Sequence, residues 1–303
     1  MIWIDGQLRG CDATVSIFDR GLLYGDGLFE TMPIYAGRPF LLDDHLARLM
    51  RGVEALRIAN APSLEDWRAA VSALLDAERP DNASLRLWIT RGVNTGSGLA
   101  CAAATKPTWI AACLPARRYA TRVYDEGMVL ALSAREHAMP SQMPTASKHA
   151  NYLASILAFD DAQAVGADEA LLCNPRGHVC EGAFSNVFAV IDDVLVTPPL
   201  DEGPLAGTAR ARLLALAAAA GIAHAEAAIP LSRLADASEL MISNALIGIA
   251  PVRRVLPVDP GDGADARDPA PNLHSPGPIA RRLASEYAAL VAAETGAAWP
   301  LLA

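Results

Sequence analysis

Apolar positions along the chain repeat with a period near two in some stretches and three to four in others, and the switches between them mark the elements. Ile2, Trp3 and Ile4 lead into Asp5-Gly6, and Leu8 follows. Asp-Gly tolerates positive φ, so this stretch predicts two short strands around a tight turn. Residues 28–35 form another strand candidate, closed by Ala36-Gly37-Arg38-Pro39. Over 42–56 the spacing lengthens, with Leu46, Leu49, Met50, Val53 and Leu56 on one face. That predicts a helix, with Asp43 or Asp44 as its cap. Residues 64–77 predict a second helix, with Ser63 at the cap and Glu65 and Asp66 in the first turn. Alternation returns over 84–91, with Leu85, Leu87 and Ile89 on one face, and 108–114 is another apolar run.

The pattern weakens over 115–125, where Arg117, Arg118 and Arg122 crowd with Tyr119 and Tyr124. This reads as a connection, giving a smaller N-terminal domain over 1–117, a link over 118–126 and a larger domain over 127–303. The second half opens with a strand over 128–133 and a loop through Met139-Pro140 and Met143-Pro144. A helix is expected from about 148 to 165. Residues 170–173 and 178–180 form a hairpin across Asn174-Pro175-Arg176-Gly177, and 186–191 and 194–197 another, turning at Asp192-Asp193. An Ala/Leu-rich helix over 210–220 closes on Gly221. Strands near 240–243 and 252–258, an exposed loop over 258–278 and a helix over 278–294 complete the chain. Helices and hairpins mixed in both halves predict a mixed α/β (α+β) fold, not a doubly wound parallel sheet.

Composition narrows the function. The 303 residues are 52% hydrophobic and 19% charged, with mean hydropathy +0.22, enough apolar material for a large core. A net charge of −9 and a pI near 5.1 give no support for a nucleic-acid partner. The longest uncharged run, over 92–105, is shorter than the roughly 18 residues of a membrane helix, so no membrane association is expected. Asp5 and Arg9 interrupt the N-terminus too early for a signal peptide, and the five cysteines contain no C-x-x-C. A reduced, cytoplasmic protein is the expectation.

Six stretches could carry chemistry, and each has a plain structural alternative. Gly21, Gly25 and Gly27 precede a strand, which suits a tight turn or a close backbone approach. Arg48, in His45-Leu46-Ala47-Arg48-Leu49, is a solvated helical charge or a fork for a phosphate. Lys148 is one of only two lysines, with Lys106, against 23 arginines. An amine can lose its proton and form a Schiff base, which a guanidinium cannot. The alternative is an ordinary charge at a helix start. Glu181 is a strand-end acid or a partner for a ring nitrogen. Gly207-Thr208-Ala209-Arg210 begins a helix whose free amides suit a phosphate, or is a simple cap. Ser243-Asn244 is a polar pair within an apolar stretch and needs partners if buried. Together they supply what a pyridoxal-phosphate site requires: an amine, an acid, an arginine and a helix N-terminus.

In this order and spacing the motifs resemble the class IV (fold type IV) pyridoxal-phosphate enzymes over about residues 1–258. That family includes branched-chain aminotransferases, D-amino acid aminotransferases and 4-amino-4-deoxychorismate lyase. The resemblance implies a two-domain, D-amino acid aminotransferase-like fold with pyridoxal 5'-phosphate between the domains, a small amino substrate and a homodimer. It implies that Lys148 forms the internal aldimine and later moves protons, and that Glu181 pairs with the pyridinium nitrogen. Arg48, the backbone of Thr208 and Ala209, and Asn244 would hold the cofactor, and Tyr152 would meet its ring oxygen. The family often has Ile-Thr where this chain has Thr208-Ala209. Thr31 looks like the lyase's proton-relay residue, and Lys148-His149-Ala150-Asn151 and Asn244-Ala245-Leu246 resemble lyase motifs. The reading is therefore a lyase that converts 4-amino-4-deoxychorismate to 4-aminobenzoate and pyruvate, in folate synthesis. Arg91-Gly92 begins like the lyase loop, but the stretch through Leu99 lacks its second arginine, and also the Arg-x-His pair of D-amino acid enzymes. Gly277-Pro278-Ile279-Ala280-Arg281-Arg282-Leu283 looks more like aminotransferases. The alternative is thus a class IV aminotransferase, of branched-chain or D-amino acid type, using a 2-keto acid. A non-catalytic binding scaffold is the remaining reading, and the presence of Lys148, Glu181 and Arg48 weighs against it.

Overall fold

Asp5 and Gly6 both adopt positive φ and turn β1 (Ile2–Ile4) onto β2 (Gln7–Arg9), pairing Ile4 with Gln7 and Ile2 with Arg9. The computed structural model describes residues 1–94, 98–101, 104, 106–137, 147–257, 269–270 and 273–300. Contacts divide the chain into two units, Met1–Arg117 with Ser147–Tyr152 and Ala293–Ala297, and Arg118–Ala146 with Leu153–Ala292 and Ala298–Ala303.

The first unit contains the short helix α1 (Arg20–Tyr24) and an antiparallel sheet of order β2-β1-β6-β5-β3-β4, with β3 (Gly27–Tyr35), β4 (Arg38–Pro39), β5 (Ala83–Thr90) and β6 (Thr108–Pro115). Helices α2 (Leu42–Ala55) and α3 (Leu64–Glu78) cover one face. Leu28, Met32 and Ile34 of β3 and Leu85, Leu87 and Ile89 of β5 meet Leu46, Leu49, Trp67 and Leu74 there. Ser63 caps α3 in a reciprocal box with Asp66. Ser63→Ala is expected to lower stability by ~1 kcal/mol, read as a shift in the urea midpoint with unchanged slope.

The start of α2 departs from expectation. Leu41, not an aspartate, occupies the cap, in left-handed geometry (φ 57°) and with no side-chain cap. Leu41 is buried and Asp43 exposed, so packing places the first turn. Asp43 and Asp44 lie inside that turn, where they still favour the helix dipole.

In the second unit, nine strands run in the order β12-β11-β10-β14-β15-β7-β8-β9-β13. They are β7 (Met128–Glu136), β8 (Glu169–Cys173), β9 (His178–Gly182), β10 (Asn186–Ile191), β11 (Val194–Thr197), β12 (His224–Glu226), β13 (Ile229–Pro230), β14 (Glu239–Asn244) and β15 (Gly248–Leu256). Strand β9 also meets β10, through Glu181 and Asn186, and closes a barrel-like ring. Pairs β15–β7, β7–β8 and β11–β12 are parallel and the others antiparallel. The core includes Leu130, Leu171, Val179, Val187, Ile242 and Val252. The helices are α4 (Arg122–Asp125), which structures part of the expected link, α5 (Leu153–Ala164), α6 (Thr208–Ala219) and α7 (Pro278–Thr295). Ala158 and Ala162 of α5 lie against Ala131 and Ala170, small residues that permit close approach. The fold is mixed α/β, as the alternation of elements indicates.

The helix expected from 148 begins only at Leu153. Strand β4 pairs only with Ile34 and Tyr35, which leaves the first half of β3 with an open edge. Residues 148–150 pair with that edge through a bridge between Leu28 and His149. Phe29 N donates to Lys148 O and Ala150 N to Gly27 O, both at 2.9 Å. Backbone engaged with a strand cannot also close a helical turn. The Met139-Pro140 and Met143-Pro144 loop, residues 95–97 of the Arg91–Leu99 stretch and most of 258–278 lie outside the described residues. No described helix is long and apolar enough to cross a membrane.

Candidate active site

The pairing with β3 places Lys148 against two aromatic rings of its own unit. Its Nζ donates to Tyr152 Oη at 2.5 Å and lies 4.8 Å from the centre of the Phe29 ring and 5.0 Å from that of Tyr152. The two rings meet edge to face at 5.1 Å. Strand alternation puts Phe29 and Thr31 on one face of β3 and Leu28 and Glu30 on the other. Across the ladder Phe29 faces Trp88 and Thr31 faces Arg86.

Arg86 was not among the residues expected from sequence. Its guanidinium lies over Phe29 (4.5 Å) and Trp88 (4.8 Å), and its Nε is buried without a hydrogen-bond partner among the described residues. Burial pushes its pKa below the ordinary value. The available signal was a charge alternating with Leu85 and Leu87, on the face away from the core.

On the core face of β3, Glu30 meets helix α2. Arg48 is 4% exposed, not solvated, and grips Glu30 with two donors, Nε to Oε1 at 2.7 Å and Nη2 to Oε2 at 2.6 Å. His45 Nδ1 is 2.6 Å from Oε2. Burial opposes ionisation of Glu30, but the charge and hydrogen bonds of Arg48, helped by His45, override it and hold the carboxyl at about 2. Burial pushes His45 below its usual value, so its neutral ring donates from Nδ1. This fixes the plane of the guanidinium. The pairing joins residues 18 positions apart, and only the lone acid in the strand hinted at it.

The second unit holds the remaining residues. Glu181 sits where the ring closes. Its Oε1 is 2.9 Å from His137 Nε2, and its Oε2 accepts from Leu205 N at 2.8 Å and Asn186 Nδ2 at 3.3 Å. Asn186 Nδ2 also donates to Leu205 O at 2.8 Å. His137, a lone histidine at a strand end, carried no sequence signal. Helix α6 follows, with Gly207 at its cap and Thr208 and Ala209 as its first residues. It has neither a side-chain cap nor an acid in its first turn, so the positive end of the dipole is uncompensated by its own side chains. A Cβ at Gly207 would stand 2.0 Å from Asn186 Oδ1, so a side chain there would displace the Asn186 amide.

Asn244 ends β14, and its Oδ1 accepts from Leu246 N and Ile247 N, both at 2.9 Å. The preceding Ser243 is fully buried, and its hydroxyl has no partner among the described residues. Asn186 pairs with Glu181 on one side and Ser243 on the other, so three polar side chains share one face in a row. The structure thus brings Lys148 and Tyr152 into contact, sets Thr31 on the adjoining strand face and places Arg48 behind that strand. Glu181, Thr208, Ala209 and Asn244 belong to the other unit.

Comparison with known proteins adds a family. A profile described as "Amino-transferase class IV" matches residues 27–255. A putative branched-chain-amino-acid aminotransferase of Methanocaldococcus jannaschii is 36% identical over 242 residues, covering 80% of this chain and 82% of that protein. The crystal structure of 4-amino-4-deoxychorismate lyase from Pseudomonas aeruginosa superposes with TM-score 0.79 at 33% identity, covering 94% of this chain and 97% of that one. That of the Escherichia coli branched-chain amino acid aminotransferase gives 0.82 at 28% identity, covering 93% and 91%.

Proposed function

The chain belongs to the class IV aminotransferase family and is a pyridoxal-phosphate enzyme, and from that premise we propose that it acts as a 4-amino-4-deoxychorismate lyase. The observation carrying this reading is the Lys148 Nζ, held by Tyr152 beside the strand face that presents the Thr31 hydroxyl. The residues suit the cofactor: a fixed amine, a helix start lacking its own acid, and the unpartnered Ser243 hydroxyl in the row that contains Glu181. Bound pyridoxal phosphate supplies an aldehyde for amines and a ring that takes up electrons.

In this reading Lys148 would hold the cofactor through Nζ, and Tyr152 would orient that nitrogen. Glu181 would hold the proton on the ring nitrogen. The backbone of Thr208 and Ala209 and the Asn244 turn would seat the phosphate, and Arg48 would add its charge. Lys148, its Nζ freed when the substrate's amine takes its place, would then take a proton from the substrate ring. Thr31 relays a proton to the departing enolpyruvyl group, whose C–O bond breaks to release pyruvate, and aromatisation drives the step. Arg86, across the ladder from Thr31, would offer its guanidinium to a substrate carboxylate.

A second reading, amino transfer to a 2-keto acid, is favoured by the Phe29 and Trp88 rings beside Arg86, which suit an aliphatic side chain next to a carboxylate. Purified protein incubated with aminodeoxychorismate and no keto acid separates the two. Equal amounts of 4-aminobenzoate and pyruvate establish the lyase. No product from cofactor-loaded protein refutes it and directs a screen of L- and D-amino acids against keto acids. Thr31→Val is expected to slow 4-aminobenzoate formation by roughly 100-fold with unchanged visible absorbance, the scale of a lost proton-transfer group. A change below about threefold removes the relay role.

The enzyme is further read as a cytoplasmic homodimer. Ile17, Leu22 and Leu99 of the first unit are 68%, 63% and 76% exposed, and Phe18, Leu23 and Val93 are exposed with them. Apolar exposure of this extent supports a protein partner. All five cysteines are free, which suits a reducing compartment.

A further inference from the structure

Glu169 opens β8 and is completely buried, yet none of the roles above uses it. Its carboxyl lies against the turn between β9 and β10. Oε1 accepts from Ala170 N at 2.8 Å and Ala183 N at 3.1 Å. Oε2 accepts from Phe184 N at 3.4 Å and meets Ser185 Oγ at 2.9 Å. All three residues of the turn are therefore tied to one side chain. The turn leaves β9 at Glu181-Gly182 and enters β10 at Asn186, the residues at which the ring closes.

Gly182 packs closely against the same arrangement. A Cβ there would stand 2.4 Å from Ser185 Oγ and 3.0 Å from the Glu169 carboxyl. Its N donates to Ser185 O at 2.6 Å, which tightens the turn. Burial pushes the Glu169 pKa up to about 8, against hydrogen bonds that pull it down. Near neutrality the proton therefore stays on the carboxyl. Backbone N–H groups only donate, whereas a hydroxyl also accepts, so a proton on Oε2 has a partner in Ser185 Oγ.

We propose that Glu169 is a positioning residue for the cofactor: by clamping residues 183–185 it sets the placement of Glu181 and Asn186. Asn186 and Glu181 both bond Leu205, and Asn186 lies against Gly207 at the start of α6. One buried side chain thus aligns the acid assigned to the ring nitrogen and the helix start assigned to the phosphate. The inference rests on the cofactor roles given above to Glu181 and α6.

The test uses holoenzyme at pH 7 in wild-type, Glu169→Gln and Glu169→Ala forms. Circular dichroism reports folding, ultrafiltration gives cofactor affinity, and the position and intensity of the visible band report the cofactor's setting. Glu169→Ala is expected to weaken cofactor binding about tenfold, the lower end of effects seen when outer-shell partners of a ligand site are removed, and to shift the band. Glu169→Gln, which keeps the shape and, through Oε1, the bonds from Ala170 N and Ala183 N, is expected to restore most of both. Folded Glu169→Ala with wild-type affinity and band overturns the proposal, even if it melts earlier. So does a Gln variant as impaired as the Ala variant. If Glu169→Ala does not fold, Ser185→Ala removes one contact and keeps the carboxyl. It should give a smaller shift in the same direction, and wild-type values there overturn the proposal. Wild-type protein without a Lys148-dependent visible band defeats the cofactor assignment itself. An intact wild-type band with indifferent variants defeats only the role of Glu169.

Discussion

Lys148→Ala is expected to lose the visible absorbance of the bound cofactor and to slow turnover by at least about 10³-fold, the scale seen when a covalent catalytic group is removed. The chain offers no substitute. Its only other lysine, Lys106, belongs to the segment before β6, and the 23 guanidiniums cannot form the required bond. Tyr152 would keep its ring contact with Phe29 but lose the amine it accepts from. The fold should survive, because the contacts of residues 148–150 with β3 use backbone atoms that alanine retains. The free energy of unfolding should therefore stay within about 1 kcal/mol of wild type. Absorbance scans of purified variant and wild type decide the matter, and a retained band at unchanged intensity refutes the assignment.

Arg48→Leu is expected to produce the largest loss of stability. It leaves Glu30 buried without its guanidinium partner, and breaking a buried pair this way costs ~3–5 kcal/mol. The dependence on pH has a definite sign. In the wild type the Glu30 carboxyl sits at about 2, below the 4.5 of the free side chain. Its ionised form therefore adds stability fully above about pH 4.5, and that contribution fades as pH falls through 2. Without Arg48, burial raises the carboxyl instead, so the penalty grows as pH rises. The gap in urea midpoint should be wide at pH 7 and much narrower at pH 4. Adding Glu30→Gln should recover part of the loss at pH 7. A gap independent of pH would mean that lost packing, not the stranded charge, dominates.

Local signals made much of this molecule legible before its fold was known. The Asp5-Gly6 turn, the core face formed by Leu85, Leu87 and Ile89, and the bounds of β10 and β11 follow from short-range alternation and turn chemistry. Lys148 stood out through scarcity, and Glu181 through its place before a run of small residues. What escaped notice depends on distant partners. Residues 148–150 read as helical because nothing nearby reveals that β3 has an open edge waiting for them. Arg48 read as a solvated charge or a phosphate fork, and its grip on Glu30 was hidden because that acid lies on a different element. Arg86 and His137 acquire meaning only once Phe29, Trp88 and Glu181 are placed around them, and Glu169 only once the turn at 183–185 lies against its carboxyl.

The placement of β7 also carries a consequence for the order of assembly. This strand lies between β8 and β15 and pairs in parallel with both, so Met128 finds its partner in Val252 only after most of the chain exists. Parallel pairing across such a span is slow, because chain entropy is lost before contacts compensate for it. During synthesis the second unit therefore waits for β15, while β7 and β14 each present an unsatisfied edge. A nascent or truncated chain ending before Gly248 is a template for pairing with its own kind, and this interval is where the protein is most exposed to aggregation.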